Sequence, residues 1–107
     1  MLTSTICHIW ILENPSEPLG QVRYDVKYDM ADIDISIVPA FRGYGLGKYL
    51  IFQTLPLLVE KHPTLKGLVA KVRTNNFGSK RLFRSIGFTQ CQQGGIETWA
   101  IPILKED

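Results

Sequence analysis

The sequence is poor in the residues that build covalent or metal frameworks. It has two cysteines, Cys7 and Cys91, and two histidines, His8 and His62. Two isolated cysteines make no disulfide framework, and two lone histidines do not complete a spaced zinc cluster. Free, mostly buried thiols and no metal are expected. Long apolar runs are missing too: no stretch of about 18 apolar residues suggests a membrane span, and the start lacks a basic region followed by a long apolar core. A soluble, cytoplasmic chain is expected. The middle of the chain is nearly devoid of acid, since residues 35 to 96 hold nine lysines and arginines against Glu60 alone. Residues 1 to 34 are the reverse, with six acids against Arg23 and Lys27. Such asymmetry points the middle segment toward an anionic partner. The bases are scattered over several elements, with no arginine-rich helix and no aromatic RNA-binding signature, which argues against nucleic acid.

What is present suits one globular domain. The 107 residues, 45% hydrophobic and 21% charged, form a single core over residues 1–107, because two domains would each be too small to sustain one. Thr5 to Leu12 is β-branched and aromatic and is stopped by Asn14-Pro15. Gln21 to Tyr28 and Asp32 to Val38 alternate with period two, and Asp29-Met30 between them reads as a hairpin turn. The second alternation sets Ile33, Ile35 and Ile37 on one face and Asp32 and Asp34 on the other. A helix from Gly45 to Lys61, apolar almost all round, reads as buried, and Pro56 is expected to kink it or split off its last turn. Gly67 to Arg73 reads as a buried strand, Asn76 to Ile86 as an amphipathic helix capped by Gly87, and Phe88 to Gln92 with Ile96 to Leu104 as a closing hairpin about Gly94-Gly95. His8 reads as a packed strand residue and His62 as a helix-end residue. Trp10 and Trp99 read as sheet packing or an interface.

The stretch from Val38 to Lys48 carries the chemistry. Glycines between a strand and a helix admit an anion close to the backbone, where the free N–H groups and positive dipole end of the helix meet it. The nucleotide P-loop is excluded, because Gly47-Lys48 would need glycine at position 42 and Ser or Thr at 49, which are Arg42 and Tyr49. The dinucleotide fingerprint fails at Leu50.

Arg42, Gly45 and Gly47 instead resemble the pyrophosphate-binding loop of the GNAT N-acetyltransferase superfamily: Arg or Gln, two residues, Gly, one residue, Gly or Ala. Upstream, Asp32 stands seven residues before Pro39, as the family's acid does. Downstream, Asn76, Ser79, Phe83, Gly87 and Phe88 match its second motif. The resemblance runs over roughly residues 31 to 91. It implies an α+β fold with a mixed, largely antiparallel sheet, a central V-shaped strand pair and two helices in the order β-β-β-α-β-α-β-β. It also implies transfer of an acetyl group from acetyl-CoA to a primary amine by direct attack in a ternary complex.

By the same resemblance, the backbone N–H groups of Gly43, Gly45, Gly47 and Lys48, with Tyr44 and Leu46 between them, cradle the pyrophosphate while Arg42 supplies charge. Ile37 and Val38 run beside the pantetheine arm, with the Val38 N–H as oxyanion donor. Asn76, Ser79 and Phe83 contact the cofactor's far side, and Lys80 or Arg81 meets a remaining phosphate. Asp32 and Asp34 are the carboxylates near the loop. Direct transfer from an amine of pKa about 10.4 to a carboxylate of about 3.9 is steeply uphill, so a relay through ordered water is expected. Two departures stand out. The family's further strand and two helices at the front have no counterpart, which leaves the acceptor pocket open or completed by a partner chain. Phe83 replaces a tyrosine that protonates the departing thiolate. The alternative reading is a non-catalytic acyl-CoA-binding or interaction module. Uncovered strand edges favour a homodimer.

Overall fold

The computed structural model describes residues 6–92 and 94–104. Six strands form one sheet: β1 (Ile6–Glu13), β2 (Pro18–Lys27), β3 (Met30–Ile37), β4 (Gly67–Arg73), β5 (Thr89–Gln92) and β6 (Ile96–Pro102), ordered β1-β2-β3-β4-β6-β5. All neighbours are antiparallel except β3 and β4. Their crossover is α1 (Leu46–Lys61), and α2 (Phe77–Ile86) links β4 to β5. The element order expected from the sequence is the one observed, with ends displaced by up to three residues; Thr5 lies outside the described residues.

Alternation decides which face is buried. Val22, Tyr24 and Val26 of β2, Ala31 and Ile33 of β3, Leu68, Ala70 and Val72 of β4 and Trp99 of β6 point to one face. Leu50, Ile51 and Leu58 of α1 and Phe83 of α2 pack there, in one contiguous core. The Tyr24 hydroxyl meets Thr54 Oγ1 at 2.9 Å, and the Thr54 hydroxyl reaches Leu50 O at 2.8 Å. Burial pushes the Tyr24 phenol up to about 12, so it stays neutral. The opposite face carries Ile9 and Ile11, Arg23 and Asp25, Asp32 and Asp34, Lys71 and Arg73, and no helix of the described residues covers it.

Several expectations are corrected. The hairpin turn is Tyr28-Asp29, because Lys27 pairs with Met30; Tyr28 takes φ 55° to close it. Helix α1 continues past Pro56 to Lys61 unbroken, losing one backbone donor. It is buried on one side only, since Tyr49, Phe52 and Leu57 are exposed. Both cysteines are exposed, Cys7 on the uncovered face and Cys91 on the edge strand β5. His8 lies in β1 and His62 caps the end of α1, and their Nε2 atoms are 2.8 Å from each other.

Candidate functional site

The site begins where the sheet splits. Strands β3 and β4 pair from Met30↔Gly67 to Ile33↔Ala70 and then separate. Beyond that point β3 keeps its partner β2 as far as Ile37↔Gly20, and β4 keeps β6 as far as Arg73↔Ile96. A gap opens between the ends of two strands that are each held on the far side.

The β2–β3 register fixes which backbone groups face this gap. The Val38 N–H donates to Leu19 O at 2.9 Å, so Ile37 and Gly20 form a non-hydrogen-bonded pair. Successive N–H groups of a strand point to opposite edges, so those of Ile35 and Ile37 point away from β2, toward the gap. The Val38 N–H, expected as the donor, is thus bonded within the sheet, and the N–H turned toward the gap at this strand end is that of Ile37. The Ile37 carbonyl, on the same edge, accepts from Arg42 Nε at 3.1 Å. Gly20 makes the close approach possible, since a Cβ there would lie 2.6 Å from Ile37 Cδ1 and 2.7 Å from Ser36 O.

After β3 the chain makes a short 3-10 turn (Pro39–Phe41) and two left-handed glycines, Gly43 at φ 89° and Gly45 at φ 76°, the latter capping α1. Nothing lies within 4 Å of a Cβ built at either, so the backbone is open to a ligand. The first helical bond runs from the Tyr49 N–H to Gly45 O, and the N–H groups of Gly43 through Lys48 have no acceptor among the described residues. No acid sits in the first turn of α1. Gly47 has a separate reason: a Cβ would come within 3.0 Å of Leu82 Cδ2, so its absence lets α1 pack on α2. The exposed Tyr44 and Lys48 flank this row of donors, and the Lys48 ammonium lies 5.8 Å from the Phe52 ring centroid. This arrangement is suited to an anion with several oxygens.

Across the gap, Asn76 caps α2 by accepting from the Ser79 N–H at 3.1 Å, so these two residues, expected at the cofactor, are first of all bonded to each other. Phe83 is 3% exposed and packs on Phe88 with ring centroids 4.9 Å apart, so it is a core residue and not a lining of the gap. Lys80 is also committed. It bonds Glu97 Oε2 at 3.1 Å and Thr74 O at 3.1 Å, leaving the exposed Arg81 as the base of that pair open to a phosphate. Glu97 is buried, accepts from Trp99 Nε1 at 3.2 Å as well, and the Lys80 hydrogen bond holds its carboxyl below the ordinary value. Asp32 and Asp34 are exposed on the uncovered face, opposite Asp25 and Arg23, sharing a face as the alternation required.

Comparison with solved structures finds this architecture elsewhere. The ribosomal-protein-S18-alanine N-acetyltransferase of Escherichia coli superimposes with a TM-score of 0.77 at 20% identity, over 94% of this chain and 72% of its own. The GNAT domain of S. lividans PAT gives 0.82 at 18% identity, over 91% and 61%. The PaiA N-acetyltransferase of Thermoplasma acidophilum, solved with coenzyme A, gives 0.82 at 13% identity, over 91% and 61%. At these identities the likeness is one of fold, and the chain spans 61% to 72% of the length of these three neighbours. No curated protein sequence matches it. The profile of the Acetyltransferase (GNAT) family matches residues 2–88, four fifths of the sequence, including the diverging strands β3 and β4 and the glycine turn, and the chain belongs to that family.

Proposed function

We propose that the protein is an N-acetyltransferase that moves an acetyl group from acetyl-CoA to a primary amine within a ternary complex. The observation that carries this reading is the divergence of β3 from β4 beside the open glycine turn. It leaves a row of backbone donors for a pyrophosphate and, one strand-end away, the Ile37 N–H for a thioester carbonyl. The PaiA neighbour solved with coenzyme A supports the ligand. In this reading the N–H groups of Gly43 to Lys48 bind the pyrophosphate and Arg42 braces the turn through Ile37 O. The Ile37 N–H stabilises the developing oxyanion. The amine nitrogen bonds the acetyl carbon as the carbon–sulfur bond breaks. Asp34, or Asp32 behind it, accepts the amine proton through water, and the thiolate leaves without a general acid because Phe83 lacks the hydroxyl of the tyrosine it replaces. The uncovered sheet face and the exposed apolar side of α1 support action as a homodimer.

Calorimetric titration with acetyl-CoA tests the binding half of this reading. Saturable binding is expected, and Gly45→Glu should lose it by placing a carboxylate among the donors. Because that variant also strains a left-handed position, Tyr44→Glu adds the same charge in the same turn without the strain, and should weaken binding at least tenfold. The catalytic half is tested by Asp32→Asn with Asp34→Asn, which should lower kcat by 10²-fold or more at unchanged acetyl-CoA affinity. Unchanged turnover would remove the aspartates from the mechanism. No turnover in the wild type with intact acetyl-CoA binding would favour the non-catalytic acyl-CoA-binding module.

A further inference from the structure

Beyond the acetyl-CoA turn, an open cavity of about 670 Å³ lies at the end of β4, lined by Arg73, Thr74, Asn75, Phe77, Gly95 and Ile96. Its size is that of a small-molecule site. Two apolar surfaces face it: Phe77 is 66% and Ile96 60% exposed, although both belong to well-formed elements. The cavity wall is braced from behind. The Thr74 hydroxyl donates to Gly94 O, the Thr74 N–H to Gly95 O at 3.2 Å, and Lys80 holds Thr74 O while its ammonium lies 5.2 Å from the Phe77 ring centroid. Lys80 is neutralised by Glu97. Arg73 is not neutralised: among the described residues no carboxylate lies within 4 Å of it. A planar fork of donors without a partner, next to an amide and two apolar faces, suits a carboxylate attached to an apolar body.

The position of Arg73 gives the site its meaning. It is the last residue of β4, where the gap to β3 is open, and it points to the uncovered face that also carries Asp32 and Asp34 on the β3 side. An acceptor lying there meets carboxylates on one side of the gap and a free guanidinium on the other. Resting on the N-acetyltransferase reading, we propose that the acceptor is an α-amino acid with an apolar side chain, its carboxylate held by Arg73 and Asn75 and its side chain laid on Phe77 and Ile96. Its amine then faces the gap. There the nitrogen–acetyl bond forms, the carbon–sulfur bond breaks, coenzyme A leaves as thiolate, and the amine proton passes through water to Asp34 or Asp32.

The test uses products, so that it reads the pocket without needing turnover. The full chain is titrated calorimetrically with N-acetylphenylalanine and with N-acetylphenethylamine, which has the same body and no carboxylate. The acid should bind about 10- to 100-fold more tightly, the range expected of one charge-assisted pair. Arg73→Gln should erase that difference and Arg73→Lys should restore part of it, with acetyl-CoA titration as the folding control. Equal affinities in the wild type, or a preference that survives in Arg73→Gln, would overturn the proposal. A carboxylate preference in a chain that binds no acetyl-CoA would instead retain the pocket and sink the acetyltransferase reading. Turnover assays follow the same logic: phenylalanine should exceed phenethylamine in kcat/KM, and Arg73→Gln should raise KM for the amino acid alone.

Discussion

Gly20 shows how one residue without a side chain positions a functional group elsewhere. It sits opposite Ile37 in a non-hydrogen-bonded pair, where strands approach most closely, and the atoms a Cβ would strike include a backbone oxygen. Side-chain rotation cannot relieve that contact, so the end of β3 must move. Gly20→Ala is therefore expected to cost about 1–3 kcal/mol in denaturant unfolding, the range for overpacking. It should also weaken acetyl-CoA binding, because the strand end that moves carries the Ile37 N–H. Gly20→Ala with wild-type stability would show that β2 and β3 can separate locally at no cost. The same pair explains why Val38 drew attention in the sequence. It stands next to Pro39 and the glycine turn, but which edge its N–H faces depends on the β2–β3 register, set ten residues earlier by the turn at Tyr28-Asp29. A one-residue error in that turn moves the donor by one residue.

At the scale of elements, the period-two strands and the Gly87 cap of α2 were legible because alternation and caps act within a few residues. Asp32 and Asp34 share their face, and Gly87 is left-handed where it ends α2. Contacts between elements were not legible. Nothing near Lys80 in sequence announces Glu97, seventeen residues on, and Lys80, one of the two bases read as meeting a phosphate, is paired with that carboxylate. That pair sets a prediction. Lys80→Met leaves Glu97 buried, bonded to Trp99 but without its cation, whereas Lys80→Met with Glu97→Gln removes the stranded charge. Thermal unfolding should place the single variant well below the wild type and the double variant between them. A double variant no more stable than the single one would mean that the lysine acts through its bond to Thr74 O instead. In either case the β4–α2 turn that lines the Arg73 cavity should loosen.

For the whole molecule, the ties that join separate parts of the chain respond to protons in the same direction. Glu97 joins β6 to α2, and its carboxyl is held below the ordinary 4.5 by the Lys80 hydrogen bond. His8 joins β1 to the end of α1, and burial, with His62 and Lys61 nearby, lowers it from the ordinary 6.5. Among the described residues the groups around His8 offer no compensating acid: Trp10 stacks on it at 5.7 Å, Tyr24 opposite it is a neutral phenol, and His62 and Lys61 repel a proton. The Nε2 contact between the imidazoles needs one ring to accept, so charging both rings breaks it. The unfolded chain binds a proton at His8 more readily than the folded one, so that contribution is complete above pH 6.5 and is lost as the pH falls from there through the lower folded value. Glu97 behaves alike in a separate window, losing its contribution as the pH falls from 4.5 through its folded value. Unfolding temperature should accordingly be level above neutrality and drop in two stages on acidification. His62→Leu removes the partner and its repulsion, so the first stage should shrink while the second stays, and circular dichroism melts at half-unit steps from about pH 2 to pH 8 would separate them. Superimposable curves for the variant and the wild type would mean that the histidine contact adds nothing to the hold of β1 on α1.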